Sequence, residues 1–197
     1  HPIWCCSVAS TAHTLIACKR MRLLSVISAF VFFLAGAIAS SNGSPGPSHI
    51  PRVIHQTWKT KELDAWLDGI TGTWKTANPT YTYLLHDDDD CLDYVREHGT
   101  PAEQRAYMAL TKPVERADMF RYLVTYYSGG VYADMDTEGI VGVDEWEGVD
   151  EARMLLGWHR TREVCQWVFA GAPRHSYMRA VLDQLVHYAL AYPHLPT

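Results

Sequence analysis

Hydrophobic positions repeat at helical spacing most clearly between Val114 and Tyr127. There Met119, Tyr122, Leu123 and Tyr126 fall at i, i+3, i+4 and i+7, and Gly129-Gly130 ends the run. Val131-Tyr132-Ala133 then predicts a short strand leading into Asp134. Upstream, Arg52 to Trp58 (RVIHQTW) is β-branched and aromatic and predicts a strand. Asp64 to Thr76 places Trp66, Leu67, Ile70 and Trp74 at roughly helical spacing, which predicts a helix despite two glycines. After the Asn78-Pro79 turn, Tyr81 to His86 predicts a second strand. Asp87 to Asp90 form an acidic turn that caps a helix bearing Leu92, Tyr94 and Val95, and Gly99 ends it. Pro101 to Leu110 predicts a further helix, Met154 to Trp158 and Gln166 to Ala170 two strands, and Tyr177 to Tyr188 a closing amphipathic helix. Strands alternating with helices predict an α/β domain with a largely parallel sheet.

Toward the N-terminus the pattern changes. Leu23 to Ala39 is a run of seventeen residues without charge, at the short end of a membrane span and long for a signal-peptide core. Lys19, Arg20 and Arg22 precede it, so the positive-inside tendency keeps the N-terminus cytoplasmic and sends the rest to the lumen. Ala37-Ile38-Ala39 also fits a cleavage site, so residues 21–40 read as a signal-anchor or a signal peptide. The expected location is an ER or Golgi membrane with a lumenal domain, or outside the cell if the signal is cleaved. Met21-Arg22 reads as a natural start, which makes residues 1–20 an upstream segment. Residues 41–49 (SNGSPGPSH) read as a flexible linker with a sequon at Asn42, and the folded domain is expected over 50–197.

Composition narrows the function. Of 197 residues, 48% are hydrophobic and 20% charged, which supports a core rather than disorder. Lys+Arg 17 against Asp+Glu 22 gives a net charge of −5, which argues against a nucleic-acid partner. Ten histidines are scattered without the spacing of a helical zinc site, and no Cys-x-x-Cys occurs. Cys91 and Cys165 could pair in an oxidising lumen, although spacing alone does not show it.

The chemistry concentrates in residues 114–139 (VERADMFRYLVTYYSGGVYADMDTEG). Asp134 and Asp136 stand at a strand end where Glu138-Gly139 permits a break into a loop. Such a carboxylate pair suits Mn²⁺ or Mg²⁺, hard ions that complete their shells with phosphate oxygens and water. A bare Asp-x-Asp says little, since 87/89 and 88/90 match it too. Those two read as a solvated capping turn; the third follows an apolar helix, a Gly-Gly turn and an apolar strand. Asp118 and Arg121 share a face of that helix. A surface salt bridge is one reading. The other is a cleft in which Asp118 accepts ribose or sugar hydroxyls and Arg121 donates to phosphate or to Asp134.

Together IPRVIHQTWKT, ANPTYTYLLHDDDD and ERADMFRYLVTYYSGGVYADMDTE resemble the DXD-containing sugar-binding region of glycosyltransferase family 32. That family includes fungal initiation-specific α-1,6-mannosyltransferases and mannosyl-inositol-phosphoceramide synthases. VDEW (143–146) and CQWVFAGAPRHSYM (165–178) are closer to the former, and ERAD (115–118) also occurs in the latter. The resemblance implies a GT-A fold, a Rossmann-like nucleotide-diphospho-sugar transferase domain, and retention of configuration. It implies GDP-mannose as donor and a glycan or glycolipid as acceptor. Residue by residue, Trp58 matches the position near the nucleotide base, and Asp118 and Arg121 match sugar-nucleotide contacts. Asp134 matches a ribose, sugar or metal contact, and Asp136 the direct metal ligand. Gln166, Trp167 and His175 are candidates for the acceptor side, and no catalytic nucleophile is assigned. Tyr132 has two readings, a residue lining the pocket or, the better of the two, core. Relatives continue past the position of Thr197 with late ligand and acceptor residues, so the domain reads as C-terminally truncated.

Two other functions fit some of these residues. A haloacid-dehalogenase-type phosphatase also places Asp-x-Asp after an apolar strand, but its motif needs Thr or Val where Glu138 stands. A non-catalytic nucleotide-sugar-binding remnant is compatible with a truncated domain.

Overall fold

The computed structural model describes residues 4–8, 15–18, 50–159 and 163–192. The apolar run at 23–39 and the linker at 41–49 lie outside them. Among the described residues no helix is long and apolar enough to cross a membrane.

The strands are β1 (Trp4–Val8), β2 (Leu15–Cys18), β3 (Val53–Thr57), β4 (Thr82–His86), β5 (Gly130–Ala133), β6 (Met154–His159) and β7 (Glu163–Gly171). They form one sheet in the order β2-β1-β6-β7-β5-β3-β4. The helices are α1 (Ala65–Ala77), α2 (Asp88–His98), α3 (Pro101–Ala109), α4 (Pro113–Tyr127) and α5 (Ser176–Ala191). Every strand and helix expected between residues 52 and 188 is present, with ends shifted by a few residues.

The largely parallel sheet is corrected to a mixed one. β4, β3 and β5 run parallel, whereas β7 is antiparallel to β5 and β6 to β7. A parallel neighbour needs a crossover, usually a helix. The chain between β5 and β6 carries only a 3-10 turn at Val143–Glu145, and β6 and β7 are separated by three residues.

Strand alternation divides the core into two layers. Val131 and Ala133 of β5, with Val168 and Ala170 of β7, pack on the α1 side against Trp74 and Trp146. Tyr132 and Phe169 point the other way, into a cluster with Met119, Phe120 and Leu123 of α4 and Met178 and Leu182 of α5. Helix α4 therefore runs beneath the sheet with residues Asp118 to Thr125 all buried. Glu103 of α3, fully buried, accepts from Tyr127 of α4 and Arg179 of α5 at 2.7 Å each, tying three helices together.

The turn from α4 to β5 determines where the site forms. Gly129 and Gly130 have φ of 71° and 103°. A Cβ on Gly129 would meet Pro173 Cδ at 2.6 Å and Pro51 Cδ at 2.8 Å. The strand thus starts directly against the helix end and runs back along it. Four strand residues advance about 13 Å, and the helix rises by about the same length from Tyr127 back to Asp118. Asp118 and Arg121 are thereby brought level with Asp134. β3 neighbours β4 on one side and β5 on the other, so the crevice beyond the carboxyl ends of β3 and β5 is a topological switch point.

Two cysteine and histidine features complete the fold. Cys91 is a free, buried thiol, so the Cys91–Cys165 pairing is not made; Cys165 is disulfide-bonded elsewhere. His55, 2% exposed, lies 3.1 Å from the Gly129 carbonyl through Nε2 and 3.0 Å from His86 Nε2 through Nδ1. A carbonyl only accepts, so Nε2 of His55 carries the proton, Nδ1 accepts, and His86 Nε2 donates.

Both rings are held neutral. Burial, with His86 adding to it, pushes the His55 pKa from 6.5 down to about 4. Burial also lowers His86, against the opposing pull of Asp90. The unfolded chain protonates His55 near 6.5 while the folded chain resists, so this stability is present above 6.5 and lost as pH falls toward 4. From pH 7 to pH 5 the His55 contribution to unfolding free energy should fall by about 2 kcal/mol. Urea denaturation of wild type and His55→Gln at both pH values should show a correspondingly smaller acid loss in the variant.

Candidate functional site

Arg121 is 6% exposed, yet its guanidinium is charged and engaged on several sides. Nη2 lies 2.6 Å from Asp118 Oδ1 and 3.1 Å from Asp134 Oδ1, and Nη1 donates to the Gln166 carbonyl at 2.9 Å. The Tyr132 ring faces the guanidinium carbon at 5.2 Å. Burial opposes the Arg121 charge, but Asp134, Tyr132 and Asp118 outweigh it and leave the pKa raised. Asp118 and Arg121 are thus not an exposed salt bridge, and Arg121 reaches Asp134 as one reading of the sequence expects. They form a buried ion pair whose third member is Asp134.

Asp134 sits at the point where β5 breaks. In an extended antiparallel ladder a residue's N–H and C=O point to the same neighbour. Here the Asp134 N–H still bonds the Trp167 carbonyl of β7 at 2.8 Å, but its carbonyl has turned away. That carbonyl accepts from Gln56 Nε2 at 3.0 Å, from Thr137 Oγ1 at 2.6 Å and from the Thr137 N–H at 3.1 Å. The Asp134 carboxylate accepts from the Tyr132 hydroxyl at 3.0 Å, and Thr57 Oγ1 lies 3.1 Å behind that hydroxyl. Tyr132 is core by burial, as read from sequence, and its hydroxyl reaches the site.

The loop after Asp134 is held from the α1 side. Trp74 Nε1 donates to the Thr137 carbonyl at 2.8 Å, and the Gly139 N–H donates to Thr73 Oγ1 at 2.9 Å. A Cβ on Gly139 would stand 3.0 Å from Trp74 Cα, so glycine is what lets the loop lie against the helix. Asp136 projects from this loop, half-buried. Among the described residues its carboxylate forms no ion pair. Burial raises its pKa, and the Asp134 charge adds to the shift. Burial likewise raises Asp118 and Asp134, with Arg121 opposing in both.

Three carboxylates therefore lie near one guanidinium, which pairs with Asp118 and Asp134 and leaves Asp136 unpaired among the described residues. Such a group is short of positive charge, and a divalent cation on Asp136 and the unshared oxygen of Asp134 would supply it. Among the described residues no three His, Cys, Asp or Glu side chains gather as a complete metal cage. Hard ions of this kind take phosphate oxygens and water for the remainder, so the donor set fits Mn²⁺ or Mg²⁺ held jointly with a diphosphate.

The other predicted residues distribute unevenly. Trp58 directly follows Thr57 at the end of β3, half-buried, with Lys59 Nζ 5.9 Å from its ring centroid. The Trp167 carbonyl accepts from the Asp134 N–H and the Gln166 carbonyl from Arg121, and the Gln166 side chain accepts from the Tyr122 hydroxyl at 3.3 Å. His175 is at the opposite end of the sheet, where it caps α5 by accepting from the Tyr177 N–H at 3.3 Å. Burial, then Arg153, lowers its pKa. Sequence reasoning missed Gln56, Thr57, Trp74 and Thr137. The available signal was a glutamine inside a strand otherwise read as core, since a buried amide requires partners.

A mixed α/β sheet with an acidic loop at the carboxyl ends of β3 and β5 defines a GT-A glycosyltransferase fold. The solved structure titled PaToxG Glycosyltransferase superimposes with a TM-score of 0.57 at 17% identity, covering 74% of this chain and 63% of its own. Residues 65–151 match the family model "Glycosyltransferase sugar-binding region containing DXD motif". The initiation-specific alpha-1,6-mannosyltransferase of Candida albicans is 29% identical over 167 residues, 71% of this chain and 43% of the relative. Inositol phosphoceramide mannosyltransferase 2 of Schizosaccharomyces pombe is 30% identical over 156 residues, 78% of this chain and 43% of the relative. The chain thus spans less than half the length of these relatives, and its residues 65–151 carry a DXD-containing glycosyltransferase sugar-binding region.

Replacing Arg121 with methionine strands two buried carboxylates. We predict that Arg121→Met lowers unfolding free energy by about 3–5 kcal/mol at pH 7. Because burial raises both acids, the deficit relative to wild type should shrink as the pH is lowered and they protonate. Chemical denaturation across pH 5–8 measures both effects.

Proposed function

We propose that this chain is the donor-binding part of a metal-dependent, retaining glycosyltransferase. It would move a hexose, mannose from GDP-mannose, onto a glycan or glycolipid acceptor. The observation that carries this reading is the half-buried Asp136, without a cationic partner among the described residues, beside an Asp134 fixed by Arg121. Support for mannose comes from the relatives, which are named mannosyltransferases. A lumenal site on an ER or Golgi membrane is part of the proposal and rests on the sequence of residues 21–40.

In this reading Trp58 stacks on the base, the second oxygen of Asp118 accepts ribose or sugar hydroxyls, and the second oxygen of Asp134 serves either such a hydroxyl or the cation. Asp136 would hold the cation directly. A bound divalent ion would supply positive charge against the departing nucleoside diphosphate. Arg121 fixes both carboxylates before substrate arrives, so the site needs little reorganisation as charge develops. The sugar carbon becomes oxocarbenium-like as its bond to phosphate breaks. Gln166 and Trp167 border the side from which an acceptor would approach.

A nucleophilic role for Asp134, which phosphatase chemistry would require, is disfavoured by its contacts. Its Oδ1 is already shared between Arg121 and the Tyr132 hydroxyl.

Asp136→Ala should keep the fold and lower Mn²⁺-dependent turnover of GDP-mannose by at least about a hundredfold, several kcal/mol of charge stabilisation being removed. It should also abolish Mn²⁺-dependent thermal stabilisation by GDP. Unchanged turnover would sink the proposal. Phosphate-ester hydrolysis that survives Asp136→Ala but not Asp134→Ala would favour a phosphatase. Binding of GDP-mannose with Mn²⁺ but without transfer or hydrolysis in the longer protein would favour a non-catalytic role.

A further inference from the structure

The geometry points to Gln56 as a positioning residue for the proposed cation site, acting through the backbone of Asp134 rather than by touching any ligand. This inference rests on the proposed metal-dependent reading. Gln56 is fully buried on β3, between β5 and the edge strand β4. Its Nε2 donates to the Asp134 carbonyl at 3.0 Å, and its Oε1 accepts from the Tyr83 hydroxyl of β4 at 2.6 Å. The two contacts fix the amide orientation: the carbonyl demands the NH₂ end, and the phenol donates to the oxygen.

The backbone ladder explains why a side chain does this. β3 and β5 are in register at Ile54↔Val131 and His55↔Tyr132, and their pairing ends there. One residue pair further along, Gln56 would meet Ala133, and beyond it Asp134 has left the strand. A buried carbonyl turned out of a ladder needs other donors. Thr137 supplies two from within the loop, and Gln56 supplies one from the rigid sheet. The Thr137 bonds close the turn on itself and leave its direction free. The Gln56 bond anchors that turn to β3, which also carries Thr57 and Trp58. With the Trp74 and Thr73 contacts holding the far side of the loop, it sets the angle at which Asp136, two residues after the anchored carbonyl, leaves the sheet.

Groups that orient metal ligands from behind typically alter metal affinity by 10–100-fold when removed. Gln56→Met keeps the approximate volume and removes the donor; Tyr83→Phe keeps Gln56 and frees its amide to turn. The full chain with GDP present is titrated with Mn²⁺, and free aquo-Mn²⁺ is read by electron paramagnetic resonance. Thermal midpoints are recorded in parallel. The Mn²⁺ dissociation constant should rise about tenfold in Gln56→Met and two- to threefold in Tyr83→Phe. In turnover assays the Mn²⁺ concentration for half activation should rise by the same factors, with activity at saturating Mn²⁺ restored to within a few-fold of wild type. A purely structural role would lower the thermal midpoint and leave the Mn²⁺ constant of the folded protein unchanged. That result, in either folded variant, overturns the inference. A wild-type chain that binds no Mn²⁺ alongside GDP overturns the cation site itself and the role of Gln56 with it.

Discussion

One buried guanidinium holds this structure's functional end together. Arg121 reaches from α4 to Asp118 on its own helix, to Asp134 at the end of β5 and to the Gln166 carbonyl on β7. A buried cation without partners would be strongly destabilising, and replacement of such an ion pair by apolar groups is often neutral or stabilising. The charges are better explained by what they position. With Arg121 in place, the helix cannot shift along β5 without separating charges in a medium where separation is costly. The Gly129-Gly130 turn fixes the other end of that helix–strand pair, so its register is set at both ends.

From that fixed point the site is assembled by strand direction. The parallel pair β3 and β5 brings Trp58 and Asp134 to the same edge of the sheet, and antiparallel β7 delivers Gln166 and Trp167 to it from the opposite direction. The loop beyond Asp134 is then gripped from both layers. Gln56 and Thr137 hold its first carbonyl, and Trp74 and Thr73 of α1 hold its far side. Preorganisation here consists of several ordinary hydrogen bonds converging on the segment from Asp134 to Gly139, with the strongest charge interaction behind them.

Much of this was legible from residue order. Period and punctuation located α4, its Gly-Gly stop and the short strand after it, because buried helices and strands carry their spacing in the apolar residues themselves. Strand direction was not legible, since the alternation in Met154–His159 and Glu163–Gly171 is the same for either orientation. How deeply Asp118 and Arg121 lie was not legible either, although the contact of Arg121 with Asp134 was among the readings their positions offered. Their i, i+3 spacing lets the pair neutralise itself, so it tolerates burial that a single charge would resist. The contributions of Gln56, Thr57 and Trp74 depend on contacts made across the sheet, and no local pattern announces those. The exception is the polarity of the His55-Gln56 step, which marked a buried strand with partners still to be found.

The three Asp-x-Asp sequences in the chain differ in how their charge is compensated. At 87–90, Asp87 caps α2 and Asp90 returns the bond, so both carboxylates lie at the positive end of a helix. Lys61 approaches Asp90 at 2.8 Å and Asp87 at 3.8 Å, and its hydrogen bond holds Asp90 below the usual carboxylate range. Those acids are satisfied where they stand and have little affinity left for another cation. At 134–136 the compensation is divided: Asp134 shares its guanidinium with Asp118, and Asp136 forms no ion pair among the described residues. Burial raises its pKa, and the neighbouring Asp134 charge adds to the shift. The two aspartates of the motif are therefore unequal by construction. Asp134 is committed to the protein through one oxygen, and Asp136 is held at a fixed angle with its charge unspent. A carboxylate left in that condition is costly to keep ionised without a cation, and the geometry around Asp136 is suited to receiving one.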